Sequence, residues 1–273
     1  MKTCVVDSKH RMQGKVFLKN GVDIYRCGDC GCIMADIDFN HEQYESNEYY
    51  TMSYRTLESI DKVWGFRWRY VLDKIVKSGN VASLLDVGAG NGYFVSLAAK
   101  EFGLRATGLE ISTEEIRFAE EHVGVKLVNE DVCRHKEMYD VVTSFNVLEH
   151  VADPHGFLSA VLERVKPGGL IVVTTPNPGC IHAKVKGLER WNMVCPPHHI
   201  NLFSKQSLLE MLEQRGAEPL SYETLSTYIS FVRDFDSSNL VLRRTFFNLL
   251  RMAGLGADHC VIARKAPAAA ARH

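Results

Sequence analysis

The chain has 273 residues, enough for one large domain or a domain with an appendage at the usual ~100–200 residues per domain. Its 32 basic and 33 acidic residues leave a formal charge of −1, which gives no electrostatic footprint for nucleic acid. A hydrophobic share of 46% suits a soluble globular protein, and no apolar run approaches the ~20 residues that span a bilayer.

Met1-Lys2-Thr3-Cys4 lacks the apolar core of a signal peptide, so the expected compartment is the cytoplasm. Eight cysteines in such a chain argue for thiols or a metal site, not a disulfide framework.

Residues 1–45 differ in character from the rest. Two strand-like pieces, Lys15-Val16-Phe17-Leu18 and Val22-Asp23-Ile24-Tyr25-Arg26, flank a turn at Asn20-Gly21. They lead into Cys27-Gly28-Asp29-Cys30, the hairpin-and-knuckle layout of a zinc ribbon. The first knuckle is incomplete, because Asp7 stands where a second cysteine is expected. The ligand set is then Cys4, Cys27 and Cys30, with His10 or Asp7 as the fourth. The alternative is a metal-free ribbon held by packing, with Cys32 a small buried residue.

Residues 46–80 read as a linker and a lid helix. Tyr44, Tyr49, Tyr50 and Tyr54 crowd a stretch without periodicity. Ile60, Val63, Trp64, Trp68, Val71, Leu72 and Ile75 then fall at helical spacing until Ser78-Gly79-Asn80. From residue 81 to 265 strands and helices alternate, as a doubly wound α/β domain requires.

Within that domain, the apolar run Ser83–Val87 reads as a buried strand. Gly88, Gly90 and Gly92 turn it into a helix, giving a tight bend with bare backbone that a ligand can approach. Eighteen residues past Gly92 a second apolar stretch ends in Glu110, an offset at which a carboxylate can accept ribose hydroxyls. Ser112 with Glu115, Asp153 with Pro154, and Ser204 read as helix starts, and Gly216 as a stop. Late strands are predicted at 219–224 and 259–264, with a basic amphipathic helix over 237–253 between them. That helix is expected to cover the sheet or form a homodimer face, not to enter a membrane. The tail 266–273 is of low complexity and expected to be disordered.

Asp86-x-Gly88-x-Gly90-x-Gly92, followed by Glu110, resembles the first two motifs of class I S-adenosylmethionine-dependent methyltransferases. Asn129-Glu130-Asp131-Val132 is similar to the adenine-binding segment of that family. Residues 139–151 resemble its fourth strand, and Val165-Lys166-Pro167-Gly168-Gly169 the turn into its fifth. The nearest group is the ubiquinone O-methyltransferase-like and sugar or small-molecule methyltransferases that begin with a cysteine-bearing segment.

The resemblance implies a seven-stranded Rossmann-like sheet and S-adenosylmethionine as cofactor. It places Gly88 and Gly90 along the ligand, Glu110 and Ile111 at the ribose, and Asp131 and Val132 at the adenine. Asp86 and Asn146 fall at the methionine end. It also lays the tyrosine segment over the cofactor mouth, so that Tyr49 or Tyr50 lines the site or merely packs the linker. Relatives hold a divalent cation near the Glu149-His150 pair, but Asn146 stands where a carboxylate would help most, so no such cation is expected here.

On the acceptor side, Pro197-His198-His199-Ile200-Asn201-Leu202-Phe203-Ser204 resembles a family segment whose histidine is His199. Histidine titrates near working pH and suits a general base, with His198 in reserve. The favoured reading is methyl transfer to oxygen, or less readily carbon, of a sugar, quinone-like or natural-product acceptor. The rivals are an RNA methyltransferase gripping nucleic acid through its cysteine segment, and a non-catalytic cofactor-binding protein.

Overall fold

A computed structural model describes residues 3–37, 56–226 and 240–267. The tyrosine segment, including Tyr49 and Tyr50, lies outside the described residues, as do 237–239 of the last expected helix and 268–273 of the tail.

The chain opens with a hairpin, β1 (Met12–Lys19) and β2 (Val22–Cys27), extended by β3 (Ile33–Ala35). Asn20 and Gly21 both have positive φ (49° and 78°), the handedness that matches the twist of paired strands. A short helical turn, Leu57–Ile60, and a π-helical turn, Asp61–Gly65, run into α1 (Phe66–Lys77). The expected single helix therefore contains a π bulge, which sets Asp61 against Arg69 and the Tyr93 hydroxyl.

The large domain alternates from there: β4 (Ser83–Val87), α2 (Tyr93–Lys100), β5 (Arg105–Glu110), α3 (Thr113–Phe118), β6 (Val128–Asn129) and β7 (Tyr139–Phe145). It continues with α4 (Pro154–Glu163), β8 (Val165–Pro176), α5 (Ile181–Lys186), β9 (Asn201–Leu202) and α6 (Lys205–Glu213). It closes with β10 (Ala217–Leu225), α7 (Leu240–Met252) and β11 (Asp258–Lys265).

Seven strands form one sheet in the order β10-β11-β8-β7-β4-β5-β6. β4 through β8 pair in parallel, and β11 runs antiparallel to both β8 and β10. β4 is buried at every position, as a central strand covered on both faces must be. The Val165-Lys166-Pro167-Gly168-Gly169 piece, expected as a turn, is the start of β8, and a register shift against β7 absorbs it. Phe247 and Leu250 of α7 pack near Phe66, so its apolar face turns toward α1. No described helix is long and apolar enough to cross a membrane.

The N-terminal sheet is not self-contained. Its order is β1-β2-β3-β9, so the fourth strand comes from the large domain. Ile33 pairs with Leu202 and Met34 with Asn201.

Candidate active site

The turn after β4 shows what its glycines are for. Gly88 has φ 74°, and a Cβ there would come within 2.4 Å of Val147 Cγ2, so its bareness lets the loop after β7 close over the turn. Gly90 has φ 50°, and a Cβ there would meet nothing within 4 Å. Of the two, Gly90 is the one that leaves open space for a ligand.

Glu110, 5% exposed, closes this loop from β5. Its Oε2 accepts from Gly90 N at 2.7 Å, and Oε1 accepts from Ile111 N at 2.8 Å and Ser112 N at 2.9 Å. A carboxylate has about four acceptor sites, so roughly one remains for a ribose hydroxyl while the Gly90 bond stands. Holding two hydroxyls requires that bond to be shared or released.

Beside Glu110, the Ile111 side chain is 55% exposed, an apolar face suited to an adenine ring. Asn129 Nδ2 donates to the carbonyls of Glu110 and Ile111 and ties β6 to the end of β5. Asp131 is exposed and caps Cys133 N, while Val132 is buried. Asp86 is 2% exposed; burial raises its carboxyl to about 7, and the Thr143 hydroxyl donates to it at 2.6 Å.

At the end of β7, Asn146 has φ 56°, a conformation rare outside glycine and often found at functional sites. Thr174 Oγ1 donates to its Oδ1, and its Nδ2 donates to Asp258 Oδ1 at 3.2 Å. The other oxygen of Asp258 accepts from Arg67 Nη1 at 2.5 Å. Sequence reading passed over Arg67, which sits on the helix α1 among residues chosen for apolar spacing. It is 2% exposed, and its Nε and Nη2 have no partner among the described residues. Those two nitrogens form one edge of the guanidinium, a fork shaped for a carboxylate. An unfilled buried fork beside Asn146 fits the methionine carboxylate of S-adenosylmethionine.

A second cluster of polar side chains gathers around Glu149. A short 3-10 turn, Leu148–His150, follows β7, and residues 187–200 bring His199 onto it. Glu149, His150 and His199 each present a donor-type atom within 4.8 Å of the others. His199 is 8% exposed and its Nδ1–H donates to Met193 O at 2.7 Å, which puts the basic lone pair on Nε2. His150 Nδ1 donates to His198 O at 2.9 Å, and the His150 ring meets that of His199 edge to face at 4.7 Å.

Glu149 is fully buried. Its Oε2 accepts from Thr175 Oγ1, while Oε1 has no hydrogen-bond partner among the described residues and lies 3.9 Å from His150 Nε2. Burial pushes Glu149 up to about 8 and His199 down to about 4. Burial and the neighbouring His199 take His150 down to about 3. The expectation that His199 titrates near its ordinary value is thus corrected, because desolvation disfavours its charged form. His198, held in reserve as a base, supplies a carbonyl to this group; the imidazole beside His199 is that of His150.

In the ribbon, Cys4, His10, Cys27 and Cys30 bring their donor atoms within 4.8 Å of one another. Cys4 Sγ lies 3.6 Å from Cys30 Sγ and 3.7 Å from His10 Nδ1. Tetrahedral zinc with bonds of ~2.0–2.3 Å needs ligand separations of ~3.5–3.8 Å. Both separations match that spacing, so the cluster, whose fourth member is His10 and not Asp7, fits the metal. Asp7 caps Lys9 N instead, and Cys32 is fully buried. His10 Nε2 reaches Glu210 Oε1 on α6 at 3.2 Å, the carboxylate–histidine pairing that orients metal ligands.

The methyltransferase domain family model matches residues 64–222. Ubiquinone biosynthesis O-methyltransferase from Vibrio vulnificus (strain YJ016) is 30% identical over 182 residues, covering 60% of this chain and 77% of that protein. The same-named protein of Yersinia pestis (strain Pestoides F) is 37% identical over 129 residues, 43% of this chain and 52% of that one. Among solved structures, a SAM-dependent methyltransferase from Archaeoglobus fulgidus superposes with TM-score 0.51 at 21% identity, over 74% of this chain and 97% of that one. Magnesium protoporphyrin IX methyltransferase from Synechocystis with bound SAH gives 0.53 at 15% identity, over 85% and 90%. A complex of the Haloferax volcanii Trm112 methyltransferase activator and a putative methyltransferase gives 0.57 at 16%, over 78% and 93%. The structural likenesses show the fold, and the family match spans more than half of the sequence. The chain belongs to the methyltransferase domain family and is a class I S-adenosylmethionine-dependent methyltransferase.

Proposed function

We propose that this enzyme methylates an oxygen of a small-molecule acceptor, such as a sugar, quinone-like or natural-product intermediate. The observation that carries this reading is the cluster of Glu149, His150 and His199 at the carboxyl edge of the sheet, with Glu149 and His199 buried and His150 partly so. Ligands bind at that edge in open α/β sheets, and a hydroxyl acceptor must lose a proton there. The ubiquinone biosynthesis O-methyltransferases it resembles are named for the same class of transfer.

When bound, S-adenosylmethionine supplies a methyl group on a sulfonium for in-line displacement, with a thioether that leaves without protonation. The chain's residues do the rest. Glu110 holds the ribose, Ile111 and Asp131 with Val132 flank the adenine, and Arg67 takes the methionine carboxylate beside Asn146 and Asp86. His199 Nε2 faces the acceptor proton, and Glu149, which holds a proton more tightly than either imidazole, is the stronger base of the trio. Zinc held by Cys4, His10, Cys27 and Cys30 would fix the ribbon, and through β3 and β9 the loop carrying His199.

The test is the pH dependence of turnover on a panel of hydroxylated acceptors. A base works only when deprotonated, so an acid limb near 8 assigns proton removal to Glu149 and one near 4 to His199. The trio also offers three ligand atoms within 4.8 Å, so strict dependence of turnover on added Mg2+ would replace the proton reading with a cation.

A further inference from the structure

A cavity of about 380 Å³ lies between α1, the end of β10 and α7. Arg67, Arg69, Arg244 and Arg251 line it, and among the described residues no carboxylate does. The four are not equivalent. Arg69 is committed to Asp61 and Glu101, both at 2.6 Å. Arg67 pairs with Asp258, and its free edge is assigned above to the cofactor.

Arg251 and Arg244 remain. Arg251 Nη1 donates to Tyr70 Oη at 2.5 Å and to Glu223 Oε2 at 3.2 Å, but its buried Nε has no partner among the described residues. Glu223 also carries Lys74, so one carboxylate serves two cations. Arg244 is exposed on α7 and makes no ion pair among the described residues. Among the described residues, the wall therefore carries positive charge beyond what the carboxylates paired with it balance. Alongside it, Phe66 and Phe247 stack at 5.8 Å with planes 9° apart, and Asn248 adds an amide.

The cavity shares Arg67 with the cofactor end of the site, and its size falls within the ~300–1,000 Å³ of small-molecule pockets. Guanidinium groups bind phosphoryl oxygens through paired N–H bonds, and two of them match a dianion better than a single carboxylate.

We infer that the acceptor carries a phosphoryl group, seated between Arg244 and Arg251, with its less polar part against Phe66 and Phe247. This rests on the small-molecule reading above.

The test uses the full chain saturated with S-adenosylhomocysteine, titrated with inorganic pyrophosphate by calorimetry. Saturable one-to-one binding is expected, weakened at least about ten-fold by Arg244→Ala, a loss of ~1.4 kcal/mol. Affinity for S-adenosylhomocysteine should be unchanged in that variant. His199→Ala should leave pyrophosphate binding intact, so the chemistry and the anion site can fail separately. Absence of saturable binding, or binding indifferent to Arg244→Ala, overturns the inference. Competition between pyrophosphate and S-adenosylhomocysteine does so as well, since the anion would then occupy the Arg67 edge. Succinate binding as tightly as pyrophosphate overturns the phosphoryl assignment.

Discussion

The two halves of the site are built in opposite ways. On the cofactor side, Gly88, Gly90, Glu110, Ile111 and Asp131 lie within one stretch of 44 residues, at or just past the ends of three neighbouring strands. Each interacts through backbone or through a partner one strand away, as Glu110 does with Gly90 N. On the acceptor side, Glu149 comes from the turn after β7 and His199 from a loop 50 residues later, while Arg67, from a helix before the sheet, stands at the boundary with the cofactor side. That side is held by contacts between distant segments: Ile200 N to Glu149 O, Ser204 Oγ to Cys30 O, and Asn20 Nδ2 to Pro196 O. A local device can bind the same ligand in many proteins. An assembled one can be changed piece by piece, which suits the half that meets a variable acceptor.

Substitutions can break this contrast, and the largest expected effect is on the assembled half. Glu149→Gln and His199→Ala should each lower turnover by ~10²–10⁴-fold while leaving S-adenosylhomocysteine affinity nearly intact. In wild type the rate should climb with pH toward about 8 as Glu149 loses its proton, and Glu149→Gln should erase that limb. Either variant turning over at near wild-type rate removes the trio from the chemistry.

Next in size is Glu110→Ala, expected to weaken S-adenosylhomocysteine by about 1–3 kcal/mol, because ligand hydroxyls and three backbone N–H groups lose their acceptor. Unchanged affinity by calorimetry would take Glu110 out of the site.

In the ribbon, protein purified without chelator should carry close to one zinc per chain, and Glu210→Gln should weaken that zinc by ~10–100-fold in a chelator competition. Metal-free protein from such a preparation would favour a ribbon held by packing alone.

The smallest effect sharpens the boundary between halves. Arg67→Lys keeps the charge beside Asp258 and loses the fork, so S-adenosylhomocysteine should bind about ten-fold more weakly. 5′-Methylthioadenosine, which lacks the methionine carboxylate, should bind the variant as it binds wild type. Equal losses for both ligands would mean that Arg67 acts only through packing.

The same contrast explains what could be read in advance. The alternation of strands and helices, the glycine turn and the acidic residue after β5 are local patterns, and the seven-stranded sheet follows from them. Cys4, His10, Cys27 and Cys30 could be grouped because a knuckle motif carries its own spacing, although choosing His10 over Asp7 needed the fold. Arg67 could not be found this way. Its neighbours Trp64 and Trp68 stack against its guanidinium, and along the helical stretch 57–77 the three read together as an ordinary packed face. Only its buried edge, without a hydrogen-bond partner among the described residues, distinguishes it. The downward shift at His199 was equally hidden, because burial is a tertiary property that the segment Pro197-His198-His199 does not encode.

The pairing of β3 with β9 bears on the order in which the molecule is completed. Ile33 finds Leu202 across 169 residues, so the ribbon emerges first and its sheet is finished late. At ~5–20 residues per second of synthesis, that delay is roughly ten to thirty seconds, with the edge of β3 unpaired. An open edge of this kind invites pairing with other chains. The four proposed ligands all lie within the first 30 residues. A metal ion captured there would close the hairpin long before its last strand arrives, and so would act on the nascent chain before it acts on the enzyme.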